Sequence, residues 1–136
     1  MYQKAGSLSI SGGTLNATGD AAAYAYNGNG ANSTGDALVV DTCGYPGGAP
    51  TTSVTGGTFT SDNASAVGSY AYGDGNTAET GFVTGGTFDT DVSAFVPEGY
   101  TYDPQAGTVS EAQLEVAAPA AVTYNGADQT PQLSVT

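Results

Sequence analysis

Two tyrosine pairs and three aspartates are the side chains whose type and spacing could do chemistry in this chain. Tyr24 and Tyr26, and again Tyr70 and Tyr72, stand two residues apart and so share one face of an extended strand. If that face is outward, neighbouring strands present an aromatic strip on which sugar rings can stack, with Asn and Asp nearby to accept hydroxyl protons. If it is inward, the four rings are core. Asp20 and Asp36 each follow a glycine in a short second repeat, Asn16-Ala17-Thr18-Gly19-Asp20 and Asn32-Ser33-Thr34-Gly35-Asp36. Stacked turns would bring their carboxylates together as oxygen ligands for calcium, and Asp74-Gly75-Asn76 resembles half of a calcium loop. The alternative for all three is a turn aspartate bonded to its own backbone, with no ion.

Catalytic constellations are harder to assemble. The chain has no histidine and no arginine, and Lys4 is its single basic side chain. A lyase that removes a proton beside a carboxylate needs such a base. A glycosidase needs two carboxylates at a set separation, and Asp89 with Asp91, or Glu111 with Glu115, lack the basic and imidazole partners that usually hold substrate. Cys43, the only cysteine, has no basic neighbour to form a thiolate and no second thiol for a disulfide. The chain reads as a non-enzyme with no cofactor, calcium being the one ion its acidic turns would suit.

The elements that must position these residues announce themselves through a repeat. Ile10-Ser11-Gly12-Gly13-Thr14-Leu15 returns as Val54-Thr55-Gly56-Gly57-Thr58-Phe59 and as Val83-Thr84-Gly85-Gly86-Thr87-Phe88. Alternation from 7 to 11 places Leu8 and Ile10 on one face, the glycine pair bends the chain, and a strand resumes at Thr14. Repeats of this kind bury their apolar residues by stacking on one another. Ile10, Val54 and Val83 are expected in one ladder, and Leu15, Phe59 and Phe88 in a second. The intervals of 44 and 29 residues are unequal, which predicts an all-β fold of irregular coils, a short right-handed parallel β-helix, with an extra coil at 37–40 in the longer interval.

The predicted organisation follows. Residues 1–104 form the repeat module, with a C-terminal cap at about 91–104, where Phe95, Val96 and Pro97-Glu98-Gly99-Tyr100 depart from the repeat. Residues 105–120 form a linker, with a turn of helix or a strand at 110–118. Residues 121–136, with a strand running into Asn125-Gly126, read as the start of a further, truncated β module.

Composition narrows the partners. Thirteen carboxylates against one lysine give a net charge of −12, which repels nucleic acid and anionic membrane surfaces alike. No apolar stretch approaches the ~20 residues of a membrane span. The start lacks an export signal, so the chain is either cytosolic or a piece of a longer exported protein; the second is expected, because the first repeat begins almost at once and the last residues stop in mid-pattern. With no cap before Leu8, end-to-end self-association is a further expectation.

The Val-Thr-Gly-Gly-Thr-Phe copies, with Asp91-Val92-Ser93-Ala94-Phe95-Val96-Pro97-Glu98-Gly99-Tyr100 after the last, resemble the Gly-Gly-Thr-Phe repeat regions of large surface proteins of Gram-positive anaerobic bacteria. Thr123-Tyr124-Asn125-Gly126 with Gln129-Thr130-Pro131 resembles the opening of the bacterial immunoglobulin-like modules that follow such repeats. The resemblance implies an extracellular, wall-associated stalk or adhesive segment whose partners are glycans or surface proteins. Ile10-Ser11-Gly12-Gly13-Thr14-Leu15 is also similar to repeats of carbohydrate-binding β-helix domains that use calcium. The expected function is therefore a non-catalytic structural or adhesive module. The alternatives are a calcium-assisted carbohydrate-binding module and a self-assembling β-solenoid segment.

Overall fold

The computed structural model describes residues 1–118, Gly126 and Ser134–Val135. Two principal sheets organise it. One is a three-stranded parallel sheet of β1 (Tyr2–Gln3), β3 (Leu38–Thr42) and β5 (Val67–Ala71), in the order β1-β3-β5. The other holds β2 (Ser7–Ala17), β4 (Thr51–Ser61), β6 (Gly86–Phe88), β7 (Tyr100–Asp103) and β8 (Thr108–Glu111), in the order β2-β4-β6-β8-β7. Its β2, β4 and β6 run parallel, whereas β8 pairs antiparallel with both β6 and β7. A short antiparallel pair joins β9 (Val116–Ala117) to β10 (Ser134–Val135).

The repeated hexapeptides lie in register in the second sheet. Ile10 pairs with Val54, which bridges to Val83, while Leu15 pairs with Phe59 and Phe59 with Phe88. The rings of Phe59 and Phe88 stack with centroids 5.0 Å apart, and both are buried. Burying such a side chain contributes about 1.5–3 kcal/mol. From the other sheet Leu38, Val40 and Val67 join the same cluster. Like side chains recurring at like places are thus enough to make one core.

Within each motif the two glycines act differently. The second, at Gly13, Gly57 and Gly86, has φ of 91°, 105° and 116°, a left-handed conformation that bends the strand and that a side chain disfavours. The first admits its neighbour's backbone: a Cβ on Gly56 would lie 2.6 Å from the Ser11 carbonyl oxygen, and one on Gly85 closer still to that of Thr55. Only glycine lets these strands approach so closely.

The expected parallel β-helix is not what forms, because the two sheets neither close nor curl into a solenoid. Each repeat contributes only two strands, one per sheet. Residues 37–40 make no extra coil, since β3 pairs with β1 and β5 as the partner of its own repeat. The longer interval is instead occupied by 18–37, rich in Gly and Asn and without a strand. Parallel stacking then ends at β6, where β7 and β8 fold back as a hairpin. The Asp103 carboxylate accepts from the Gln105 and Ala106 amides in its turn, and Gly107 has φ 68°. Segment 91–104 carries a 3-10 turn, Ser93–Phe95, beside fully buried Val92, and Phe95 stacks on Phe82 with centroids 5.4 Å apart. No helix forms over 110–118, which holds the end of β8 and β9. Apart from Gly126 and Ser134–Val135, the module expected at 121–136 lies outside the described residues.

Candidate functional site

The chemistry-bearing side chains gather on the face of the three-stranded sheet away from the core. All five residues of β3 are buried. Strand alternation sends Leu38 and Val40 into the core cluster and turns Val39 and Asp41 to the opposite side. There the loop 18–37 covers them. Without that cover Asp41 would stand at the surface; with it, the residue is fully buried.

A buried carboxylate must be matched by donors, and two tyrosines match this one. Tyr24 donates its hydroxyl to Asp41 Oδ1 at 2.7 Å, and Tyr2 donates to Oδ2 at 3.0 Å. Asp36 is held in the same way. Its Oδ2 accepts from the Tyr70 hydroxyl at 2.7 Å and the Thr34 hydroxyl at 2.6 Å, and its Oδ1 from the Ser65 amide at 3.0 Å. Gly68 leaves the space in which the Asp36–Tyr70 pair meets. Among the described residues no buried side-chain nitrogen or oxygen is without a partner.

The tyrosines stack in a two-by-two array. Tyr24 lies on Tyr70 with centroids 4.7 Å apart and planes 4° apart, and Tyr26 lies on Tyr72 at 3.9 Å and 3°. The first pair is half-buried over the carboxylates, while Tyr26 and Tyr72 are 42% and 50% exposed. The equal two-residue spacing in the loop and in the segment from β5 puts the rings in step. Lys4 fastens the loop, donating to the carbonyls of Asn27 and Gly30, with its ammonium 5.6 Å from the Tyr26 ring centre and 5.2 Å from that of Tyr45. A cation so placed is attracted to the ring faces.

This environment holds the phenols neutral. Burial, and then the bond to Asp36, pushes Tyr70 up to about 12; burial and the bonds to Asp41 push Tyr2 and Tyr24 higher. Burial and the nearby Asp41 also raise the Cys43 thiol. None of these groups is tuned toward a nucleophile or base at neutral pH. A cleft of about 290 Å³ opens beside them, lined by Met1, Tyr2, Ala31, Ser33, Thr34, Asp36 and Val39.

The aspartates proposed for calcium are not brought together. The turns of Asp20 and Asp36 do meet through backbone, with the Asp20 carbonyl against Gly35 and the Ala22 amide bonded to the Thr34 carbonyl at 3.1 Å. The Asp36 carboxylate turns inward to its hydroxyl partners, whereas Asp20 is exposed. Asp74 sits in a separate exposed turn, where Asn76 gives its side-chain amide to the Tyr72 carbonyl at 2.7 Å. Among the described residues no three acidic or cysteine side chains cluster as an ion site. Asp91 accepts the Ser93 amide and fixes a local turn, whereas Asp89 accepts the amide of Ser61, at the end of β4, and ties its segment to the preceding repeat.

Sequence reading missed Asp41, Tyr2 and Lys4 as members of this cluster. The signal for Asp41 was its place two residues after Val39, on the same strand face. Comparison with protein-family models, curated proteins and solved structures finds no match for the chain. Among the described residues no helix is long and apolar enough to cross a membrane.

Proposed function

We propose that this chain is a non-catalytic structural module of a bacterial cell-surface protein, a spacer with an adhesive face. One observation carries the reading: the three copies of the repeat pair with one another in register, so that their apolar residues, with Gly56 and Gly85, serve stacking. The cell-surface setting rests on the resemblance of the repeats. The acidity of the chain, −12 overall, suits a solvated exterior that discourages non-specific contact.

A second reading, carbohydrate binding, is favoured by the exposed pair Tyr26 and Tyr72. Their stacked rings form a small aromatic step whose outer edges face solvent. The hydroxyls of Tyr24 and Tyr70 are committed to Asp41 and Asp36, so the outer pair would carry the contact.

Oligosaccharide titration and thermal unfolding with and without Ca²⁺ separate the two. The structural reading expects no saturable isotherm and a midpoint unmoved by Ca²⁺ or chelator. A saturable isotherm lost in Tyr72→Ala would replace it with a glycan-binding function, and a midpoint raised by Ca²⁺ would reveal a native-state ion site.

A further inference from the structure

Gly12 stands where neither turn geometry nor packing among the described residues calls for a glycine. Its φ lies outside the left-handed region, and a Cβ there would meet nothing within 4 Å. Its counterparts Gly56 and Gly85 each face a carbonyl of the strand one repeat earlier, from Ser11 and Thr55 respectively. Those carbonyls belong to the hydroxyl residue just before the earlier strand's own glycine pair. Gly12 has the vacant half of the same contact.

The edge around it is open as well. β2 is 11 residues long and, among the described residues, ends its sheet and pairs only with β4. A long unpaired edge is a template for another strand. Leu15 tells the same story from the side chains. Phe59 lies fully buried between Leu15 and Phe88, but Leu15 is only half-buried, with no large residue stacked on its outer side among the described residues.

We infer that the outer edge of β2 is a docking site for a parallel β-strand bearing the same motif, a hydroxyl residue, two glycines, a threonine and a large apolar residue. The hydroxyl residue's carbonyl seats over Gly12, and the apolar residue lies on Leu15. β4 is the precedent, since it takes strands of this motif in parallel on both of its edges. A second copy of the described residues has no such strand to offer in this direction. Its β4 is flanked on both sides and its β6 is covered by β8. The occupant is therefore a repeat strand from another polypeptide segment, recognised by its backbone and by its motif. This deepens the structural reading of the repeats, on which it rests.

The test uses a fluorescent synthetic peptide with the sequence of β4, residues 51–61, added to the whole chain. Saturable binding is expected, with slowed amide exchange along β2. Gly12→Ala should keep the parent's unfolding midpoint or raise it slightly, yet weaken the peptide by about tenfold or more, because its methyl occupies the carbonyl's place. A peptide N-methylated at alternate amides retains its side chains but cannot extend the ladder, and should not bind. No binding up to the peptide's solubility limit, or equal binding to Gly12→Ala, would overturn the inference. Dimers of the chain alone that Gly12→Ala abolishes would also overturn it, by giving the edge to a second copy. Either failure, with cooperative unfolding of the chain intact, would leave the structural reading standing.

Discussion

Replacing the first glycine of each motif copy by alanine, one copy at a time, separates packing from local conformation. The chemistry is identical at Gly12, Gly56 and Gly85, and none has a left-handed φ. At Gly56 the new Cβ starts 2.6 Å from the Ser11 oxygen, where ordinary contact begins near 3.4 Å, so the neighbouring strand must retreat by about 0.8 Å. Gly85 demands more, beside the 2.8 Å bond from the Thr84 amide to the Val54 carbonyl. Overpacking of this kind costs about 1–3 kcal/mol, and a stretched ladder bond loses part of its ~1 kcal/mol. Reduced freedom of the unfolded chain returns about 0.4–1 kcal/mol. The net expectation is about 1–3 kcal/mol of destabilisation for Gly56→Ala, at least as much for Gly85→Ala, and a gain of up to about 1 kcal/mol for Gly12→Ala. Urea unfolding followed by circular dichroism measures all three. Equal effects at the three sites, with unchanged slopes, would refute the assignment of Gly56 and Gly85 to close strand approach.

Phe59→Ala should cost about 3–5 kcal/mol in the same assay, because it removes a fully buried ring stacked on Phe88; a loss below 1 kcal/mol would mean the ladder is not core. Gly68→Ala should destabilise by separating Tyr70 from Asp36, and it should bring the Tyr70 phenol back toward its ordinary 10.0. Alkali should unfold the parent chain. The folded state holds the Tyr2, Tyr24 and Tyr70 protons more tightly than the unfolded one, so their contribution is full below 10.0; that of Tyr70 is lost as pH rises through about 12, and those of Tyr2 and Tyr24 are lost at higher pH still. A phenolate absorbance titration in which all tyrosines ionise together near 10.0 would contradict this. Cys43, buried and with its thiol pKa raised, should react slowly with a disulfide reagent at neutral pH until denaturant is added; prompt reaction in the folded chain would place it at the surface.

The sequence made the strands legible where apolar alternation met a glycine pair, because both signals are local. Ile10 with Val54 and Val83, and Leu15 with Phe59 and Phe88, align from the motif alone, since side chains of like shape at like positions pair across neighbouring strands. How the sheets are arranged was not legible. Residues 18–37 are rich in turn-forming Asn and Gly and make no strand, so the longer interval adds no coil. The reversal into β7 and β8 depends on Gly107, whose Cβ would lie 2.5 Å from the Phe88 carbonyl oxygen, a contact between residues far apart in the chain. The tyrosine spacing disclosed a shared face but not its partners. Each pair had to be known to lie against the other, and Asp41 to be covered, before the hydroxyl–carboxylate bonds of the inner rings, Tyr24 to Asp41 and Tyr70 to Asp36, could be read.

Stretching the chain between two handle domains tests most directly whether the stacked repeats form one mechanical unit. The account predicts a single discrete rupture. The 110 residues from Tyr2 to Glu111 would release a contour length of about 360–400 Å, less the folded separation of their ends. Extension without a rupture event, or a series of small steps each the size of one repeat, would contradict a cooperative structural module.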